Sequence, residues 1–381
     1  MNDEAVGAGG RAVHVLVLGA GIVGATTALE LRRRGAAVTL VADTFGGSTP
    51  GVLVPPAWDW PRSVDPDARN QDADARAERW AARTYRCLQE LVGIAAGVRW
   101  CRTHVHLDRA SERDAAETRR RCRLHEAVTD VVAYQTWPPT SRHRPRLTAG
   151  YHFAGPVVDP ARYVAWATAR LVEDGARVRR RHVHDLAALR SLAREHRAAA
   201  VVACAGAGAG AFTDDPQLTT RPAVQVALPA TTPPPERRCA VLREDGATTV
   251  LSATPLGDHQ VLATSSATGP IDPLELRDRC VAVLDLGPHL RSGPPSIRVG
   301  TVSHRIGGAR VELVDDGVPV VHHYGHGGQS LGVVWGAAEA AAALALDAAG
   351  LTGSTTATGV PSTRVGHGAP ARDGAVVDRW P

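Results

Sequence analysis

The chain contains no lysine. All 43 of its Lys+Arg positions are arginine, against 39 acidic residues, for a net charge of +4. The absence belongs to a general bias toward alanine, arginine and glycine and is no binding signal in itself. So modest a charge argues against a strongly basic nucleic-acid binder. Aromatic residues are scarce at 4%, too few among the arginines to build stacking platforms for bases. The Arg119–Arg123 cluster reads as a solvated helix face. No apolar run is read as reaching the roughly 20 residues of a membrane span. The segment Met1–Arg11 is polar and glycine-rich, without a signal-peptide core, and is expected to be a disordered lead-in. Six cysteines (Cys87, Cys101, Cys122, Cys204, Cys239 and Cys280) include no C-x-x-C pair. Reduced thiols in a cytoplasmic protein are therefore expected. The histidine pairs His104/His106, His182/His184 and His322/His323 have no acid or cysteine nearby to complete a ligand set, so no metal is expected.

What is present is organised from the first residues after the lead-in. An apolar run, Val13 to Leu18, feeds Gly19-Ala20-Gly21-Ile22-Val23-Gly24. A helix-period segment follows to Arg34, and a second apolar run, Val38 to Ala42, ends in Asp43. Strand, G-x-G-x-x-G turn, helix, strand and acid in this order form a βαβ unit suited to a dinucleotide. Gly19 permits the tight turn, Gly21 lets backbone approach a pyrophosphate, and Gly24 lets helix and strand pack closely. The helix N-terminus offers free N–H groups and a positive dipole end. Asp43 is placed to hydrogen-bond a ribose hydroxyl.

A chain of 381 residues exceeds one typical core, so two domains are expected. Helical periodicity spans 72–92, 111–126 and 186–195, and Asp159-Pro160 caps another helix. Residues 138–147, rich in proline and arginine, read as a loop. Ala198 to Cys204 is a buried strand that ends in a second glycine run from Gly206. Runs at 222–228, 239–243, 248–253 and 260–265, with 297–304 and 310–314, suggest an antiparallel sheet. A third glycine loop, His322-His323-Tyr324-Gly325-His326-Gly327-Gly328-Gln329-Ser330-Leu331, opens an alanine-rich helix over about 332–348. The tail from 350 to 381 is low in complexity and expected to be disordered.

On these motifs the chain resembles the D-amino acid oxidase family of FAD-dependent flavoproteins. The likeness covers about residues 13–348 and is carried by the opening turn with Asp43-Thr44-Phe45, by Val201 to Gly206, and by the Tyr324–Leu331 loop with Trp335-Gly336. It implies an α/β fold: a discontinuous Rossmann-type FAD-binding domain (12–60, 150–215 and 300–348) plus an antiparallel-sheet substrate domain (61–149 and 216–299). It implies FAD held at Gly19, Ala20, Gly21, Ile22, Gly24, Asp43 and Thr44, with Ser48, Gly51 and Val52 near the isoalloxazine and Val183 on the adenine side. Gly206, Gly327, Gly328 and Leu331 complete that set.

The likeness also exposes a departure. Members acting on free D-amino acids grip the carboxylate with an arginine and a tyrosine, and a planar guanidinium fork matches both carboxylate oxygens. Aligning Gly300 and Arg305 with the family pattern puts Val302 where that arginine belongs. The strand pair around 245–255 has no tyrosine, and Ser252 stands in the expected pocket position. His304 shares a strand face with Val302 and is the candidate polar contact, while Arg305 reads as a structural ion pair. Gly328 and His304 are the candidate catalytic positions. The implied activity is oxidation of a C–N bond to an imine with dioxygen as acceptor, on a small-molecule amine other than a simple free D-amino acid. A flavin-dependent tailoring enzyme acting on a larger apolar substrate, and a flavin-binding protein without turnover, are the alternatives. No nucleic-acid or membrane partner is expected, and a homodimer is possible.

Overall fold

The computed structural model describes residues 12–61, 71–108, 112–134, 147–230, 236–244, 247–265, 272–315 and 317–350. The tails expected to be disordered lie outside them except for Gly350, as does the 138–147 loop except for Leu147. In chain order the elements are β1 (His14–Leu18), α1 (Ile22–Arg33), β2 (Ala37–Ala42), α2 (Gln71–Leu91), β3 (Val98–Asp108), α3 (Glu112–Glu126), β4 (Val131–Tyr134), β5 (Leu147–Val158), α4 (Pro160–Glu173), β6 (Arg177–Arg180), α5 (Leu186–Glu195), β7 (Ala200–Ala203), β8 (Leu218–Pro229), β9 (Glu236–Glu244), β10 (Ala247–Leu256), β11 (His259–Ser265), α6 (Pro273–Leu284), β12 (Ser296–Arg305), β13 (Arg310–Val314), β14 (Val320–Tyr324) and α7 (Ser330–Ala348).

The first sheet has strand order β13-β14-β7-β1-β2-β6. Every pairing but β13–β14 is parallel. Its central strands are apolar at nearly every position because both faces are covered. Val15 and Val17 of β1 join the core shared with α1, α4 and α7, while Leu16 and Leu18 pack with Leu189 and Leu192 of α5. The helix signals act as read. Asp159 accepts from the amides of Ala161 and Arg162 at the start of α4, with Pro160 in the first turn.

The second sheet has order β12-β8-β11-β10-β9-β3-β5-β4. It is antiparallel apart from the β3–β9 pair. One face is covered by α6, whose Leu276, Cys280 and Leu284 meet Val224, Val226, Leu251 and Leu262. The opposite face meets the segment that follows β2: Gln225 on β8 donates to the carbonyls of Val52 and Val54. Farther along, a buried ion pair fixes the same segment. Arg121 on α3 donates to Asp59 at 2.6 Å, to the Trp60 carbonyl and to the Tyr151 hydroxyl.

Three differences from the sequence reading have physical causes. β5 and β12 belong to the second sheet, so boundaries at 150 and 300 cut through strands. β5 pairs along its length with β3, and β12 with β8, both over long sequence separations that no local pattern reveals. The segment 320–324 is a fully buried central strand, β14, and not part of a loop; its polar His322-His323-Tyr324 hid it. Finally, Gly327–Ala348 is long and apolar enough to cross a membrane. In the structure it is a core helix, with Leu331, Val334, Ala337, Ala338, Ala341 and Ala345 buried.

The contact of α7 with α2 is close because Gly336 has no side chain. A Cβ there would lie 2.3 Å from the Trp80 Cα and 2.5 Å from its carbonyl oxygen. Backbone cannot yield as a side-chain tip does, so Gly336→Ala is expected to destabilise the protein by about 3 kcal/mol through overpacking. Chemical denaturation measures it; an unchanged midpoint would show that the two helices separate freely.

Candidate cofactor and active site

Gly19 turns the chain out of β1 with φ +99, and a Cβ there would lie 2.3 Å from the Cys204 carbonyl oxygen. A Cβ on Gly24 would lie 1.9 Å from the Gly19 carbonyl oxygen. Both positions therefore exclude any side chain. Gly21 caps α1 without a side-chain bond, and the first helical bond runs from the Ala25 amide to the Gly21 carbonyl. The amides of Ile22, Val23 and Gly24 thus have no partner among the described residues, as helix geometry requires.

These amides face a cavity of about 380 Å³. It runs between the C-terminal ends of β1, β2, β7 and β14 and the edge of β12 at Thr301, Val302 and Ser303. Of the residues singled out in the sequence, Gly19, Ala20, Gly21, Ile22, Gly24, Asp43, Thr44, Gly51, Val183, Gly206, Gly327 and Val302 line it. The others lie outside the lining. Ser48 is exposed, and the neighbouring Thr49 lines the cavity in its place. Val52 is buried with its carbonyl bonded to Gln225, and Val54 takes the lining position. Gly328 packs on Pro55, and Leu331 is buried in the core beside it. Ser252 donates to the Ala263 carbonyl within the second sheet. His304 stands just behind the lining, its Nδ1 3.1 Å from where a Gly327 Cβ would be.

The cavity's polar groups divide by position. At one end Asp43, largely exposed, lies 3.6 Å from His182. At the other, His323 and His326 meet edge to face at 4.9 Å. His323 Nδ1 is 3.1 Å from the Thr27 hydroxyl, while Nε2 of both rings is buried without a hydrogen-bond partner among the described residues. Burial pushes His326 down to about 4 and His323 well below its ordinary value, so both are neutral at neutral pH. Cys204 lines the wall, but burial pushes its thiol up to about 12, which makes it a poor nucleophile. His323 gave no sequence signal as a lining residue because its strand was itself hidden; Cys204 lay within the Val201–Gly206 match but was not singled out.

Arg305 has a structural partner. Its Nε donates to Asp215 at 2.8 Å, and the Tyr324 hydroxyl donates to the same carboxylate at 2.6 Å. Burial alone would raise the Asp215 carboxyl; the bonds from Tyr324 and Arg305 outweigh it and hold the group below its ordinary value. The ion pair expected for Arg305 is present.

A family described as FAD dependent oxidoreductase matches residues 14–344. The chain belongs to this family. It is 29% identical over 365 residues to a D-amino-acid oxidase of Rubrobacter xylanophilus, covering 88% of this chain and 97% of that one. Among solved structures it is similar to glycine oxidase from Geobacillus kaustophilus (TM-score 0.64, 16% identity, 87% and 94% of the two chains). It is also similar to iminodiacetate oxidase from Chelativorans sp. BNC1 (TM-score 0.58, 17% identity, 87% and 95%).

The cavity fits the family's cofactor on its own evidence. Unpaired amides at the α1 N-terminus suit a pyrophosphate, and glycines that admit no side chain leave backbone free to approach it. Asp43 offers a carboxylate at one end, and two imidazole Nε2 atoms without a partner among the described residues offer hydrogen bonds at the other.

Two measurements test this site. Asp43→Ala is expected to weaken FAD binding by about 1–3 kcal/mol, through loss of a charged hydrogen bond. Titration of the apo-protein checks it, and unchanged affinity would assign Asp43 to the surface. Acid provides the second. His304, His322 and His326 are pushed down to about 4, chiefly by burial, and His323 well below its ordinary value. The unfolded chain binds protons at these rings from about pH 6.5 downward while the folded one does not. Their contribution to stability is complete above pH 6.5 and falls as the pH drops toward 4. Denaturation between pH 7 and 4.5 is expected to show that fall, accompanied by flavin release. A flat profile would mean that the rings protonate in place.

Proposed function

We propose that the protein oxidises the C–N bond of an amine bound at the Val302 side of the cavity, with dioxygen as acceptor. The amine loses a hydride and a proton to give an imine, water hydrolyses the imine to a carbonyl compound and ammonia or an amine, and dioxygen becomes hydrogen peroxide. The relatives named D-amino-acid oxidase, glycine oxidase and iminodiacetate oxidase support the reaction class. The single observation that carries the reading is that the dinucleotide cradle ends against β12 at Val302. FAD, when bound, supplies the two-electron acceptor for the hydride.

The chain's own residues hold and position. The α1 amides and Asp43 anchor the cofactor, and the Gly325–Gly327 turn closes one wall. Burial, reinforced by the Arg221 charge, pushes His304 down to about 4. It is therefore neutral at physiological pH and carries no proton ready for donation. A neutral amine needs no protein acid for hydride loss, so the missing acid is no obstacle.

Val302 sets the substrate limit. A carboxylate placed against it sheds water without gaining an ion pair, at a cost of several kcal/mol. Each 1.4 kcal/mol lost in the transition state lowers efficiency about tenfold. Common free D-amino acids are therefore expected to be turned over far more slowly than N-substituted or larger amines. A peroxide-coupled assay over neutral, acidic and basic D-amino acids and over such amines decides. Efficient turnover of a simple D-amino acid would overturn the substrate limit. Anaerobic bleaching of the flavin by an amine without peroxide in air would overturn dioxygen as acceptor.

A further inference from the structure

Val302 pairs directly with Arg221 across the β12–β8 ladder. Cross-strand partners project to the same face of a sheet, a few ångströms apart. The register is pinned beside them, where the Thr219 hydroxyl donates to the His304 carbonyl at 3.1 Å. Arg221 therefore shares a face with Val302, which lines the cavity, and with His304 just behind the lining; Arg221 itself is rooted beyond the lining. Its charge reaches His304, whose ring it helps to keep neutral.

Arg221 is half-buried and makes no hydrogen bond or ion pair among the described residues. Nearby arginines are not left in this state. Arg305 is held by Asp215, and Arg310 by Glu312 and the Tyr324 hydroxyl. Burial lowers the Arg221 guanidinium from its ordinary value with no counter-charge to offset it. A partly desolvated cation without a partner is costly, and an anion that enters beside it recovers that cost. A guanidinium also presents a planar fork to an acid group.

We propose that Arg221 is a specificity-determining residue that reads an anionic group on the amine substrate. The assignment rests on the proposed binding of an amine at Val302. The guanidinium is rooted one strand away, about 4.8 Å from position 302. The acid it reads is accordingly set farther from the oxidised carbon than the carboxylate of an α-amino acid. This reconciles an apolar residue at 302 with a cation beside it: the pocket is closed to a charge at one point and open to it at the next.

The test is binding to the FAD-loaded protein by calorimetry without oxygen. The ligands are β-alanine, 4-aminobutyrate and 5-aminopentanoate, each compared with its primary amide. At least one acid is expected to bind about tenfold or more tightly than its amide, the scale of a charge-assisted hydrogen bond. Arg221→Leu is expected to erase that preference, and Arg221→Lys to keep part of it with less selectivity. Thermal melting confirms the fold of each variant; if the leucine variant does not fold, Arg221→Gln takes its place. A preference that survives the loss of the guanidinium, or no preference for any acid in the native protein, overturns the assignment. Peroxide plays no part in the readout. A protein that hands its electrons to another acceptor would fail the proposed reaction and leave this assignment standing.

Discussion

Everything in the cofactor half depends on one backbone crossing that admits no side chain. The Gly19 carbonyl is so close to Gly24, and the Cys204 carbonyl so close to Gly19, that a single methyl group at either position would collide with backbone. The crossing seats α1 against β1 and β7 and brings the unpaired α1 amides to the cavity floor. Thr27, one turn up α1, then reaches His323 on β14. Three separate stretches of chain meet within a few side-chain lengths because two positions have none. Helix dipole, free amides and neutral imidazoles acquire a common target only as a result.

The crossing was legible in the sequence because it is local. Strand, turn, helix and acid lie within about thirty residues, and each follows a period that can be counted. The same holds for Asp159-Pro160 and the start of α4. What escaped was long-range. β14 is a short central strand whose histidines and tyrosine look like loop residues until their partners β7 and β13 are known. β5 carries glycine, histidine and proline in its twelve residues, and pairing with β3 is what holds it extended. The difference between Ser48 and Thr49 as lining residue is one of side-chain direction within a tight turn, which composition does not encode.

Two largely buried carboxylates, Asp59 and Asp215, are arranged with counter-charge, and they show which of the arginines beside them are structural. Arg121 has Asp59, a backbone carbonyl and a tyrosine hydroxyl around it. Burial raises the Asp59 carboxyl, but the Arg121 charge and the His125 contact outweigh it and hold the group well below the usual carboxylate range. Removing either member of such a pair leaves an uncompensated ion in the core and costs about 3–5 kcal/mol. The pair ties α3 to the segment between β2 and α2, and so fixes the chain that runs from the cofactor wall to the second sheet. Asp215 does the same at the other end, gathering Arg305 and Tyr324 so that β12 and β14 stay in register at the cavity edge.

Against that pattern, the β8–β12 pairing gives position 302 a different meaning from the one its own strand suggests. Along β12 alone, valine in place of a clamp reads as the loss of a charge. Across the ladder it reads as a displacement, since Arg221 stands directly opposite. The neighbouring arginine on β12, Arg305, is paired with Asp215, whereas Arg221 has no such partner among the described residues. Its strand is paired with β12 from Leu218 to Ala227, Arg221 included, which limits how far the backbone under the guanidinium can shift. A fixed cation next to an apolar wall selects by position as well as by charge. On the proposed assignment, an acid group aligned with the wall would be rejected and one aligned with the adjacent strand bound.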